Sequence, residues 1–579
     1  MSKTFRAALL ACLLTAVAEP LLAQTQNPGS TTPVPAVIRT TTRLVQINVV
    51  VRDKKGQPVE DLKREDFSIL DQGQPQQVAL FSALTAAPPA GAQLPALPPR
   101  VFSNRLDQTG QPPGSVTVIL FDALNTSILD QAYARQQVIK FLRQLQPQDH
   151  VAIYVLTTQI KVLNEFTQDA SSLLQAIERF SGAYSPQLDA ANPEPTDDSV
   201  DLTANSTTGP GGANAIASQL KEFLDAASGK LSDFANINRA ETTTSAIEAI
   251  ANHVASIPGR KSLVWVSGSF PISIGYDEDT MFQPGREHRD FTEEIDRAAR
   301  ALNQANMAIY PVDARGLMAP GNYSASDDNR FNPRAAAQLR GLVPNQREFD
   351  TMIFLADRTG GKAFYNTNDI EGSVRHALSD GQFTYTLGFY PTHGKWDGKF
   401  HKLKVEVKEK GLTLRYRKGY FAKAEPADGS AESKAVLDDA VRSPVEWTNL
   451  DIQVAVGAFD PSSHSLALQV GLDTHGLGFE QKEGRWSAKI YVHFVQLGKG
   501  NKPLGREQET FDLNLKPETY ERFMQIGTKF SGKLTLSPEI ELLRVVAEDA
   551  SSNTIGTITI PIKKFLALAT DSPPAAKKP

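Results

Sequence analysis

Apolar and polar residues alternate from Leu44 to Val50, the period of a half-buried β-strand. KKGQPV then supplies a turn, and DFSILDQGQPQQVALFS carries two further strands around Asp71-Gln72-Gly73. From Val116 the pattern changes. The continuous apolar run VTVILF is followed by a helical period near Asp130–Leu145, with Val138, Phe141, Leu142 and Leu145 on one face, and then by VAIYVL. Buried strands alternating with amphipathic helices predict a parallel sheet covered on both faces. The alternation continues through KVLNEF, SLLQAIERF, a helical stretch from Ile216 to His253 broken around Asn236–Arg239, SLVWVSG, the helix TEEIDRAARALNQAN and MAIYPVDARG. A last unit joins the helix FDTMIFLADRTGG to AFYN and to a helix capped by Asp369 that carries Ile370, Val374 and Leu378.

Beyond it FTYTLGFYP, KFHKLKVEVKEKG and LTLRYRKGYF predict three strands, residues 423–436 read as a linker, and 447–563 runs strand after strand at β-sandwich spacing. The division that follows is a β module over 38–84, a Pro/Ala/Gly-rich linker over 85–115 and an α/β domain over 116–381 with insertions at 185–215 and 315–345. Strands over 382–422 and a C-terminal sandwich-like domain over 437–565 complete it. A module of about 45 residues is small to fold alone. Residues 40–84 and 382–422 are therefore expected to be two halves of one sandwich with the α/β domain inserted between them. The fold class expected is α/β, Rossmann-like, with flanking β-sandwich domains, and 579 residues leave room for about three or four domains.

Composition narrows the partners. A formal charge of −5 at this length, with no concentrated basic face, argues against nucleic acid. The start, MSKTFRAALLACLLTAVAEPLLAQTQ, has Lys3 and Arg6, then an apolar run from Ala7 to Ala18, then LLA before Gln24. That is the layout of a secretory signal over 1–23, too short to span a bilayer. No later stretch is long and charge-free enough to cross one, so an extracytoplasmic location is expected, secreted or periplasmic. The single cysteine, Cys12, lies inside the signal; Leu9-Leu10-Ala11-Cys12 also has the form of a lipoprotein box. A chain cut after Ala23 carries no thiol for a disulfide, a metal or a nucleophile.

The residues resemble a family at several points together: FDALNTS after the first α/β strand, PGRKSLVWVSGSFP, MAIYPVDARG, and the flanking VVVRDKKGQPVEDLKREDFSILDQGQPQ and LKVEVKEKGLTLRYRKGYF. In combination, over roughly 40–423, they look like the von Willebrand factor type A-related domain proteins of acidobacterial type. The resemblance implies a Rossmann-like domain whose upper edge, in better-known members, holds a divalent cation by Asp-x-Ser-x-Ser after the first strand, a Thr from a later loop and an Asp after a later strand. Hard Mg²⁺ or Ca²⁺ takes such oxygen ligands, and open α/β sheets bind ligands at that edge. The match here is partial. Asp122 takes the first position, Leu124 stands where the first Ser belongs, Thr126 replaces the second, Thr243 or Thr244 could supply the Thr, and the expected Asp is Ser267. Asp122, Thr126 and Thr244, with Ser267 nearby, are thus a degenerate Mg²⁺ or Ca²⁺ site. The alternative is that Asp122 only hydrogen-bonds its own turn, in which Asn125 and Ser127 are natural members.

Asp277, Glu278 and Asp279 offer a second acidic loop near the same edge, more simply read as solvated, and Asp313 ends a strand where a turn cap is the simpler role. The nine histidines form no metal spacing, Val266-Ser267-Gly268-Ser269 is not a nucleophile elbow, and no phosphate-binding glycine loop is present. The reading that follows is a non-catalytic binding or adhesion-type protein that presents its edge to a protein or cell-surface ligand. Two rivals remain: an extracytoplasmic hydrolase built from Asp122, Ser267, Asp313 and histidines, and an envelope scaffold. A deep cleft pairing a carboxylate with a histidine would favour the hydrolase; a shallow edge favours binding. The partner and oligomeric state are not legible.

Overall fold

Seven-residue strands without a polar face make the centre of the chain. The computed structural model describes residues 44–85, 97–106, 116–146, 149–192, 212–274, 286–317, 346–392, 396–422, 428–482, 484–563 and 565. Val116–Asp122, Lys261–Ser267 and Met307–Asp313 are buried at every position, which only a sheet covered on both faces permits. They lie in a five-stranded sheet in the order Met307–Asp313, Lys261–Ser267, Val116–Asp122, His150–Leu156, Ile160–Thr167. The first four run parallel and the last pairs antiparallel as the edge.

Alternate side chains of the central strand feed two cores. Val116, Val118 and Leu120 meet Ile247 and Ile250 of the long helix Gly212–His253 and Val254 just after it, Ile295 and Leu302 of Thr292–Gln304, and Met352 and Leu355 of Gln346–Thr359. Ile119 and Phe121 meet Val138, Phe141 and Leu142 of Ile128–Leu142, Leu173 and Ile177 of Ala170–Arg179, and Ile370 and Val374 of Ile370–Gln382. The last of these is capped by Asp369, whose carboxylate accepts the Gly372 N–H. The chain leaves the central strand to one side, by His150–Leu156, and returns on the other at Lys261–Ser267. The switch point of the sheet therefore falls between the carboxyl ends of the central strand and Lys261–Ser267, where such sheets form a crevice.

The segments before and after this domain form two further four-stranded sheets, and each sheet draws on both. Val45–Arg52 and Leu80–Thr85 flank Phe383–Phe389, with Thr413–Arg415 beside Val45–Arg52. Phe67–Asp71 lies between Gln74–Gln76 and Phe400–Val407, followed by Gly419–Phe421. Ile47, Val49, Ile69, Tyr385, Leu387, Val405 and Tyr420 belong to one core. LTLRYRKGYF is accordingly two short strands in two different sheets, not one. The C-terminal strands also form two sheets over a single core that includes Val454, Leu468, Ile490, Val545 and Ile558.

Three further expectations are corrected. Within 85–115, Val101–Ser103 is a strand that pairs with Gln453–Ala455 of the C-terminal sheet, because VFS offers two large apolar residues to an open edge. The helix Gly212–His253 runs unbroken through Asn236–Arg239: neither glycine nor proline interrupts it there, and the Arg239 guanidinium donates to Asn236 one turn back. Within 423–436, Ser430 caps the helix Ala431–Arg442, whose Leu437 and Ala440 are buried. Pro186–Ala191, in the first insertion, is a short helix; 193–211 and most of the second insertion, 318–345, lie outside the described residues, as do the N-terminal signal and Cys12. Among the described residues, no helix is long and apolar enough to cross a membrane.

Asp380, at the end of Ile370–Gln382, ties the α/β domain to the sheets beside it. One carboxylate oxygen accepts Arg52 Nε at 3.1 Å and Nη2 at 2.8 Å, and the other accepts Tyr310 Oη at 3.0 Å and the Arg415 guanidinium. Burial pushes this carboxyl up, but Arg415, with His376, Arg260 and Arg52, outweighs it and holds the group below the usual aspartate range. Asp380→Ala leaves two largely buried guanidinium groups without their anion and is expected to destabilise the protein by about 3 kcal/mol, measured by urea unfolding at neutral pH. Because the native value is depressed, the ion pair stabilises the wild type above the ordinary aspartate pKa of about 3.9 and is lost as the pH falls through the native value. The gap between wild type and variant should therefore narrow in acid.

Candidate functional site

Asp122 ends the central strand with no exposed surface. A buried carboxylate is tolerated only where donors surround it, and four do. Its Oδ1 accepts the Asn125 backbone N–H at 3.0 Å, and its Oδ2 accepts Asn125 Nδ2 at 2.7 Å, Trp265 Nε1 at 2.9 Å and Ser267 Oγ at 2.7 Å. Burial pushes the Asp122 carboxyl above the ordinary range, against the pull of the Asn125, Ser267 and Trp265 donors. The donors come from the loop directly after the strand and from the neighbouring strand, so the knot spans the switch point.

Asn125 extends the network. Its Nδ2 also donates to Thr243 Oγ1 at 2.7 Å, and its Oδ1 accepts Arg239 Nε at 2.9 Å. Arg239 and Thr243 lie one turn apart on the long helix, and Thr243 Oγ1 donates back to the Arg239 carbonyl at 2.7 Å. Arg239 Nη2 reaches the Ser269 carbonyl at 3.1 Å. Thr126 Oγ1 accepts the Gly268 N–H at 3.0 Å, so the two loops at the edge are stitched directly. Gly268 allows that approach: a Cβ there would stand 2.4 Å from the Asn125 carbonyl oxygen. Ser269 follows in the left-handed region at φ 70°, a conformation that costs energy for a residue with a Cβ and recurs at functional sites.

Asp122, Thr126 and Ser267 are thus brought together, but Thr244 is not. Its hydroxyl donates to the Ala240 carbonyl at 3.0 Å and lies 3.2 Å from that of Glu241, within its own helix; Thr243 is the threonine that reaches the knot. Asp313 is held by Arg315, whose backbone N–H and Nε donate at 3.1 and 2.9 Å, and it stands apart as a turn cap. Asp277, Glu278 and Asp279 lie outside the described residues. Trp265 and Arg239 are the members that pattern reading missed. An indole inside an otherwise aliphatic buried strand needs a partner for its N–H, and an arginine four residues before Thr243 shares that residue's inward face; those were the available signals.

The residues present do not fit Mg²⁺ or Ca²⁺. Three of the four groups turned on Asp122 are N–H donors, which cannot ligate a cation, and the hydroxyls of Thr126, Thr243 and Thr244 are already engaged. One carboxylate stands beside one guanidinium, so a divalent ion would leave a buried excess of positive charge. A concavity of about 340 Å³ lies elsewhere, between Gln346–Thr359 and Leu414–Lys418. Lys362, Arg415, Lys418 and Asp357 line it, and no histidine does.

No family model and no curated protein matches the chain. Among solved structures, it is similar to an aerotolerance-related membrane protein from Bacteroides fragilis at 13% identity, over 46% of this chain and 98% of that one, with a TM-score of 0.20. BatB from Bacteroides thetaiotaomicron aligns at 14% identity over 46% and 97%, TM-score 0.22. The ArnB paralog VWA2 from Sulfolobus acidocaldarius aligns at 8% identity over 91% and 78%, TM-score 0.19. Scores of this size carry no argument, and the site stands on its own geometry.

Ser267→Ala removes a donor from a buried carboxylate and should cost about 1–3 kcal/mol in urea unfolding. Thr244→Val removes a hydroxyl that bonds only its own helix and should cost about 0.5 kcal/mol or less. Equal losses in the two variants would contradict the placement of the knot.

Proposed function

We propose that the protein is a non-catalytic, extracytoplasmic binding protein that docks a protein partner on the carboxyl edge of its α/β sheet. The observation that carries this reading is a set of large apolar side chains standing in solvent around a sealed polar knot. Ile128 and Leu129, in the first turn after the Asp122 loop, are 49% and 80% exposed; Tyr184 is 69% and Leu317 60% exposed. All four belong to this edge. Ser185, next to Tyr184, donates to the Leu124 carbonyl, Leu317 follows the strand that ends at Asp313, and its N–H donates to Asn368 Oδ1. Clusters of exposed apolar residues on a polar rim are what protein interfaces use, with aromatic anchors at their centre.

The chemistry beneath the rim supports binding over hydrolysis. Ser267 Oγ donates to Asp122 and accepts the Ser269 N–H at 2.8 Å, and neither Ser267 nor Asp122 has exposed surface from which a substrate could be met. The resemblance of FDALNTS and its companion motifs to von Willebrand factor A-type domains adds to the reading, and the β-sandwich-like units on either side then act as spacers. A signal over 1–23 would place the protein outside the cytoplasm.

The test compares the intact chain with a Leu129→Asp/Tyr184→Asp double variant, each immobilised and offered an envelope extract of the producing cells with chemical cross-linking. Partners held by the wild type should be lost by about 30-fold or more in the variant, as for hot-spot residues worth about 2 kcal/mol. Its unfolding midpoint should be unchanged. Undiminished capture by the variant overturns the reading.

A further inference from the structure

We infer that Arg239, rather than a divalent cation, supplies the positive charge of the Asp122 crevice, so that the edge is complete and competent without metal. The inference goes beyond the docking reading, because it concerns the isolated chain and holds whether or not a partner is found.

The geometry leads there in three steps. Arg239 is 2% exposed, and its Nε is spent on Asn125 Oδ1, the acceptor of the same residue whose backbone N–H and Nδ2 serve Asp122. A guanidinium is always charged, and its planar fork binds several acceptors at fixed angles. Here Nη1 takes Asn236 Oδ1 at 3.1 Å and Nη2 takes the Ser269 carbonyl at 3.1 Å, so one side chain spans the long helix and both edge loops. A metal ion would unite the same three elements, the loop after the central strand, the later Thr-bearing segment and the loop after the next strand. Asn125 relays the charge: its amide polarises between the guanidinium on one side and the carboxylate on the other, and such chains reinforce each bond. The Asp122 end and the Arg239 end thereby neutralise each other through a single amide, and the strained Ser269 backbone is held by the Nη2 bond at its carbonyl.

The proposal separates from a metal-site reading by calorimetry and by a charge cycle. Mg²⁺, Ca²⁺ and Mn²⁺ titrated into the intact chain to millimolar concentration should give no saturable heat, and EDTA should leave the unfolding midpoint where it is. Saturable heat in the wild type that disappears in Asp122→Ala overturns the inference. Arg239→Met should lower the midpoint by about 5 °C, and the loss should shrink in an Asp122→Asn background, where no anion needs neutralising. Equal losses in the two backgrounds show that Arg239 does not answer Asp122 and also overturn it. Should Arg239→Met fail to fold, Arg239→Gln takes its place in the same cycle, removing the charge while keeping an amide N–H donor toward Asn125. The titration of the wild type stands regardless.

Discussion

Removing a carboxylate from water at the end of a buried strand costs several kcal/mol unless each of its lone pairs is met, and that requirement organises the α/β domain. Asp122 cannot be satisfied from its own strand. It takes two bonds from Asn125, which fixes the loop after the strand, and one each from Trp265 and Ser267, which fixes the register of the neighbouring strand against it. Asn125 in turn requires Thr243 and Arg239, which sets the rotation of the long helix. Three stretches of chain distant in sequence, at 122–126, 239–243 and 265–267, are positioned by one buried charge.

The same constraint explains why the edge above the knot is a firm platform. Ala123 and Leu124 donate their backbone N–H groups to the Leu156 carbonyl, Gln131 Nε2 donates to the Thr126 and Ala183 carbonyls, and Ser185 Oγ donates to the Leu124 carbonyl. A loop with its backbone groups so fully used cannot rearrange cheaply. Ile128, Leu129 and Tyr184 are carried on it in fixed positions, and a pre-organised apolar surface loses less ordering entropy on association than a mobile one.

Much of this was legible where a single local rule governs. Continuous apolar strands gave the covered sheet, Asp122 was visible as the polar residue closing such a strand, and Asp369 announced its helix by the capping rule. The rest depends on contacts that no local rule encodes. Arg239 falls where the helix is expected to break, and a charged side chain on a helix is ordinarily solvated; only the tertiary partner Asn125 makes it an interior residue. Thr243 and Thr244 are adjacent and chemically identical, and the choice between them is a matter of helix rotation by one residue, about 100°. Val101–Ser103 was hidden by its proline-rich surroundings, because three residues become a strand only when an edge is offered to them by the C-terminal sheet more than three hundred residues away.

The insertion of the α/β domain into the neighbouring sheets is compatible with this rigidity because entry and exit coincide. The chain leaves the sheet at Thr85 and re-enters at Phe383, and these two residues are paired across adjacent strands. A domain whose ends lie side by side adds no strain to the sheet that hosts it. Covalent adjacency alone would leave the two bodies free to hinge about that point. Asp380, three residues before re-entry into the sheet, removes the freedom by binding Arg52 and Arg415 on two neighbouring strands at once. Arg358, from the end of Gln346–Thr359, adds a second point of attachment, its guanidinium lying 3.5 Å from the centre of the Phe400 ring and 5.2 Å from that of Phe421. Two contacts on different sheets define an orientation where one would define only an axis, so the edge that carries Leu129 and Tyr184 is held at a set angle to the strands behind it.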